Sequence, residues 1–281
     1  MDMEKVRDYM TRNVFVLSPN DSLAKARNIM LTKRIGRMVI VDSEDRVLGV
    51  ITRSDMAFAL GHGSTRWRKR PLDQMLVKDL MVKKVVTANL STPLKEAIRT
   101  MLEKDFWGLP VVDKERLAGI ITAFDIMRYV IDRGNDLRVA DVMDRRVATA
   151  SPFHSIHHVT ELMASTPTKR VVIVDGEGRP IGIVSPSNIA FTKGDAKRKV
   201  VFRRSLGGFY EPTHKKVTYL DLAIAGDVMS SPVLIARDED SVIEATKVMV
   251  DNRIGALPVL DREHDLIGMF SRREVLKTIV P

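Results

Sequence analysis

The chain is 281 residues long, 44% hydrophobic and 29% charged, with a formal net charge of +9 at pH 7 and no cysteine. That length holds about two ordinary domains with a substantial core, and the composition is that of a soluble globular protein. Disulfides and thiolate metal sites are excluded, no apolar run approaches the roughly 20 residues that span a bilayer, and Met1-Asp2-Met3-Glu4-Lys5 opens no secretory segment, so a cytoplasmic protein with no membrane partner is expected.

The charge first points to a polyanionic partner, but it is unevenly spread. Residues 61 to 76 hold Arg66, Arg68, Lys69 and Arg70 against Asp73. Residues 192 to 225 hold Lys193, Lys197, Arg198, Lys199, Arg203, Arg204, Lys215 and Lys216 against Asp195, Glu211 and Asp221. These two segments carry +8 of the +9.

Four phrases of one design organise the chain: Val6 to Met10, Val77 to Met81, Val139 to Met143 and Ala225 to Met229, each with Asp third and Met last. A second Met follows 20 residues later in every copy, at Met30, Met101, Met163 and Met249. A glycine follows the first Met by 38 or 39 residues, at Gly49, Gly119, Gly182 and Gly268. Three landmarks held in register four times define an internal repeat.

Each copy changes its apolar period in the same order. A short β-branched run (Val14 to Leu17, Val85 to Thr87, Val233 to Ile235) predicts a strand. A polar start signal such as Ser91 to Leu94 or Asp240 to Val242 then opens an amphipathic helix. Leu23, Ala26, Ile29 and Met30 share one face of it, which makes the second Met a core residue. A continuous apolar run follows, ending at Asp42, Asp113, Asp175 or Asp261; a turn leads into a second apolar run, and a helix closes the copy. The result is an α/β (α+β) repeat of β-α-β-β-α units, each with an apolar face that it must cover against a neighbour.

The last strand of each unit ends in a patterned turn. Repeat 1 reads Gly49, Thr52, Asp55 and repeat 2 reads Gly119, Thr122, Asp125, whereas repeat 3 has Ser185 with Asn188 and repeat 4 has Ser271 with Glu274. A hydroxyl where a strand meets a helix lies beside unsatisfied N–H groups that favour an anion, and a carboxylate one turn on accepts two hydrogen bonds from a cis-diol. Glycine there removes a side chain where a ligand approaches closely. The plain alternative is a capping box that only satisfies the helix start, and Ser271 with Glu274 is its best match.

The element order and these turns resemble the cystathionine β-synthase (CBS) domain, which occurs in pairs called Bateman modules. The similarity covers nearly the whole chain, and the four-repeat layout is similar to the gamma subunit of AMP-activated protein kinase and its stand-alone archaeal relatives. The resemblance implies four CBS repeats in two pseudo-symmetric Bateman modules, with repeats at 1–60, 77–135, 136–191 and 226–281 and basic connectors at 61–76 and 192–225. It implies that the acid binds ribose hydroxyls and the Thr or Ser meets the α-phosphate, with AMP, ADP or ATP as regulatory ligand. Site residues are then Thr52 and Asp55, Thr122 and Asp125, and Ser185 and Asn188. Relatives often carry a phosphate-contacting base just before the second strand; the matching positions hold Arg37 and Arg170, with Lys169 beside it, but Gly108 and Ala256 in repeats 2 and 4. The planar guanidinium suits phosphate, which favours nucleotides over S-adenosylmethionine or methylthioadenosine. Adenine is expected among apolar side chains, with Val14, Val85 and Val147 nearest.

The connectors admit three readings: solvated linkers, cations lining the ligand mouth, or an RNA or single-stranded DNA surface in which Trp67, Phe202, Phe209 and Tyr210 stack bases. His154, His157 and His158 have helical spacing but no fourth ligand, and no metal is expected. No nucleophile arrangement, P-loop or dinucleotide fingerprint is present, so the chain is expected to be non-catalytic. The two modules are expected to stack, within the chain or in a homodimer, into a disc that signals to a regulated partner. A ligand-free interaction scaffold is the remaining alternative.

Overall fold

In the computed structural model the described residues are 4–56, 71–191, 198–200, 218–220 and 223–280. Each repeat forms one three-stranded sheet, in which a two-residue first strand pairs parallel with the second and the second pairs antiparallel with the third. In repeat 1 these are Val16–Leu17, Arg37–Val41 and Val47–Thr52. In repeat 2 they are Ala88–Asn89, Gly108–Asp113 and Arg116–Thr122. Repeat 3 uses Thr149–Ala150, Val171–Val174 and Pro180–Val184, and repeat 4 uses Ala236–Arg237, Ala256–Leu260 and Leu266–Ser271.

The first strand of repeat 1 falls inside its expected run, whereas those of repeats 2 and 4 lie just beyond theirs. Val14, Val85 and Val147 precede the strands, outside the ladder, because only two residues per repeat reach register with the second strand. The helices form as their caps predict. Ser22, Ser155 and Ser241 each accept a backbone N–H from the third residue on, opening Leu23–Thr32, Ile156–Ala164 and Val242–Asp251. In repeat 2, Pro93 stands at the N-cap of Leu94–Lys104. Met30, Met101, Met163 and Met249 all lie in the core.

The Asp-Met phrases do not dock on their own repeats. Val6 donates to Thr92 (2.9 Å) and Thr11 to Ile120 (2.9 Å), so the phrase of repeat 1 lies on repeat 2. Val77 donates to Asp21 (2.8 Å) and Val82 to Val50 (2.9 Å), which returns the phrase of repeat 2 to repeat 1. The same two bonds recur from Val139 to Asp240 and Asp144 to Met269 (2.9 and 3.0 Å), and from Ala225 to His154 and Ser230 to Ile183 (2.8 and 2.9 Å). Each pair of repeats thus exchanges its leading phrases.

By its contacts the chain divides into two compact units, Met1–Val147 with Leu234–Pro281, and Ala148–Val233. The exchange accounts for where the divisions fall. The phrase of repeat 3 belongs with repeat 4 in the first unit, and the phrase of repeat 4 belongs with repeat 3 in the second. Within the first unit, repeats 2 and 4 share a core: the helices Leu94–Lys104 and Ala123–Arg133 pack on Val242–Asp251 and Arg272–Lys277. Ile98, Met101, Ile126, Met127, Met249 and Leu276 close it, each buried side chain contributing about 1.5–3 kcal/mol. The second unit has its own core of Ala150, Val159, Met163, Val171, Ile173, Val184 and Ala225.

Most of both basic connectors lies outside the described residues, including Trp67, Phe202, Phe209 and Tyr210. Within 192–225, however, Arg198–Val200 and Thr218–Leu220 pair as a two-stranded antiparallel ladder, so this stretch carries structure of its own. Among the described residues no helix is long and apolar enough to cross a membrane.

Candidate functional site

In every repeat the third strand delivers a hydroxyl residue to a helix start, and the residue three further on turns back to it. Thr52 donates through N and Oγ1 to Asp55 Oδ2 at 2.7 and 2.8 Å. Thr122 does the same to Asp125 Oδ2 at 2.8 and 2.6 Å. The capping geometry is real, yet it engages a single carboxylate oxygen. A carboxylate has acceptor positions on both oxygens, so capping and diol binding are compatible in one side chain. At Asp125, only 7% exposed, Oδ1 receives Thr11 Oγ1 of repeat 1 at 3.4 Å and Arg128 at 3.2 Å.

Arg37 joins the two turns. It begins the second strand of repeat 1 directly opposite Thr52, while Gly108 holds the same register position opposite Thr122. The half-buried Arg37 side chain crosses to repeat 2 and donates from Nη1 to the Gly108 carbonyl at 3.3 Å. Burial lowers its pKa to about 10, while Asp55 and Asp125 both act to raise it. The guanidinium therefore stays charged at neutral pH within the field of both acids.

The other two turns differ chemically. Asn188 Oδ1 accepts from Ser185 N and Oγ at 3.0 and 2.6 Å, and its Nδ2 donates to Val228 O and Ser230 Oγ at 2.9 and 3.0 Å. All four hydrogen-bonding positions of that amide are engaged. Glu274 is 2% exposed and accepts from Ser271 N and Oγ at 3.1 and 2.5 Å. Burial pushes its pKa up, and Asp144 adds to the rise against Ser271 and Lys277. That side chain caps its helix from within the core.

The glycines have a different role from the one expected. A Cβ on Gly49 would lie 2.6 Å from Met81 Sδ, on Gly182 2.5 Å from Met229 Sδ, and on Gly268 2.7 Å from Met143 Sδ. The exchanged phrase of the partner repeat fills the space that the sequence suggested was reserved for a ligand.

Of the remaining candidates, Val14, Val85 and Val147 are half-buried. Arg170 donates to Thr168 O at 2.7 Å, and the exposed Lys169 holds a left-handed backbone with φ 50°. His154 accepts from Ser151 N at 2.9 Å and meets the ring of His158 at 4.8 Å, a local turn contact. Sequence reasoning missed the contributions of Thr11, which follows the first Met, and of Gly108, whose small size admits Arg37.

The family model described as "CBS domain" matches residues 6–62, 77–132, 139–192 and 225–281. Among curated proteins, the uncharacterized protein MJ1225 of Methanocaldococcus jannaschii is 27% identical over 277 residues, covering 95% of each chain. Its crystal structure superposes with a TM-score of 0.80 at 24% identity, over 99% of this chain and 100% of that one, a likeness of fold. The uncharacterized protein MJ1404 of the same organism is 35% identical over 135 residues, 46% of this chain and 32% of its own length. With its four matched segments, four equivalent sheets and recurrent Thr/Ser turns, this chain belongs to the CBS domain family and carries four CBS repeats.

Proposed function

We propose that this chain is a non-catalytic regulatory module that binds adenosine nucleotides, AMP, ADP or ATP, in crevices between paired CBS repeats. The reading rests on one observation above the others: a charged, half-buried Arg37 stands between two Thr-x-x-Asp turns whose acids each spend one oxygen on the helix start. The acid takes the ribose diol, Thr52 or Thr122 and Arg37 take the phosphate, and half-buried valines such as Val14 and Val85 face the base. Ser185 and Asn188 with Arg170 and Lys169 form a weaker third crevice, since the Asn188 amide is already engaged. MJ1225, similar over nearly the full chain, has been described as a proposed archaeal homolog of γ-AMPK, which supports an energy-sensing role.

A nucleotide that prefers one arrangement of a repeat pair shifts the population toward it, and a regulated partner in the cytoplasm reads the change. Such coupling is worth about 1–3 kcal/mol. The shared core of repeats 2 and 4 supports stacking of modules within one chain rather than only in a homodimer. Calorimetric titration with AMP, ADP and ATP tests the reading: binding is expected, Asp55→Ala and Asp125→Ala should each remove it at their own crevice, and the double variant should lose at least about tenfold overall. Absence of binding by the parent protein overturns it and leaves the ligand-free scaffold.

The concentration of eight net charges in residues 61–76 and 192–225 favours a second reading, nucleic-acid binding. Gel shifts with RNA and single-stranded DNA at rising salt separate the two, since neutralising connector bases should flatten the salt slope.

A further inference from the structure

We propose that Arg37 is one phosphate-holding cation shared by the Asp55 and Asp125 crevices, so that repeats 1 and 2 take one phosphorylated nucleoside at a time but two unphosphorylated ones. This rests on the nucleotide reading above and adds a rule of occupancy to it.

Two crevices related by pseudo-symmetry should each carry their own base, yet the position matching Arg37 in repeat 2 is Gly108. The glycine is not a neutral absence. A Cβ at Gly108 would lie 2.8 Å from Arg37 Nη1, 3.1 Å from its Cδ and 3.2 Å from its Cζ. The guanidinium therefore occupies the volume that any side chain of repeat 2 would need, and its bond to Gly108 O fixes it there. One arginine stands in the place of two.

The consequence is electrostatic and geometric. Of the five N–H donors of Arg37 one on Nη1 is taken by Gly108 O, and the guanidinium brings a single positive charge to whatever phosphates approach it. Two phosphates drawn to the same cation would repel each other across a partly desolvated gap, where charges interact more strongly than in water. Arg128 does not relieve this. It is 59% exposed and paired to Asp125 Oδ1, at the acid rather than at Thr122, and solvent screens it. A nucleoside makes no demand on Arg37, so each acid can take a diol on the oxygen that it does not give to the helix start, which at Asp125 means displacing the 3.4 Å Thr11 contact and the exposed Arg128.

Full-length crystals soaked at saturation with AMP or with adenosine test the rule through refined occupancies at the two crevices. Adenosine is expected to fill both, whereas AMP occupancies at the Thr52 and Thr122 crevices should sum to one ligand per pair. Full AMP occupancy of both crevices overturns the proposal while upholding nucleotide binding; neither compound at either crevice removes the nucleotide reading and this inference with it. Gly108→Ala provides the second arm. The new methyl meets the far end of a flexible side chain, so the fold should tolerate it while the guanidinium is pushed back toward its own repeat. AMP is then expected to move toward the Thr52 crevice, and an unchanged distribution between crevices argues against a shared arginine.

Discussion

Met10 of repeat 1 fills the side-chain space of Gly119 of repeat 2: a Cβ on the glycine would lie 2.8 Å from Met10 Sδ and 2.8 Å from the Thr11 carbonyl. Two landmarks that recur along the sequence 38 or 39 residues apart are thus contact partners across each pair, not within one repeat. The exchange of phrases is held by side-chain fit as well as by backbone bonds.

Gly119→Ala should therefore destabilise the protein by about 1–3 kcal/mol, as overpacking against backbone does. Met10→Ala should cost about 2–5 kcal/mol through the cavity it leaves. Urea unfolding of both variants and their combination checks the contact, because the double variant should recover part of the first loss. Strict additivity would mean that the two residues do not share the space.

Asp55 and Asp125 carry two duties that substitution can separate. Asp55→Asn keeps an acceptor for the Thr52 N–H and is expected to leave stability within about 0.5 kcal/mol, Asp125→Asn also gives up the Arg128 pair at a further cost of up to about 1 kcal/mol, and Asp→Ala at either position removes the cap and costs about 0.5–2 kcal/mol. Both changes should weaken nucleotide binding. Thermal melts beside calorimetric titrations distinguish a cap that binds from a cap alone.

Asn188→Asp puts the family acid back in repeat 3, but the amide nitrogen already donates to Val228 O and Ser230 Oγ. A carboxylate there faces a carbonyl with no proton between them. The variant should lose about 1–3 kcal/mol of stability and gain no nucleotide affinity. A rise in affinity measured by titration would contradict this account of the turn.

Glu274 has a folded pKa raised by burial, so its contribution to stability is fully present below the usual glutamate range and is lost as pH rises through the folded value. Glu274→Gln keeps an acceptor for Ser271 and removes the titration. Relative to the parent, the variant should gain in melting temperature on going from pH 4 to pH 7. An offset that stays constant over that range would show that the buried carboxyl does not titrate differently in the folded state.

The sequence by itself determined the fourfold repeat, the order of elements and the Thr-x-x-Asp turns, because each rests on local periodicity or capping, which neighbouring residues settle. It placed the core methionines Met30, Met101, Met163 and Met249 for the same reason. It placed the first strand of repeat 1 within Val14 to Leu17 but misplaced those of repeats 2 and 4, since a two-residue strand is defined by its ladder partner and not by its own β-branched run. Tertiary structure alone decided where each phrase docks, what Gly49 and Gly119 make room for, how Asn188 spends its amide and where Arg37 points. Arg37 and Gly108 lie 71 residues apart and Thr11 and Asp125 lie 114 apart; no local pattern encodes such meetings, because they follow from which apolar face each unit must cover with its neighbour.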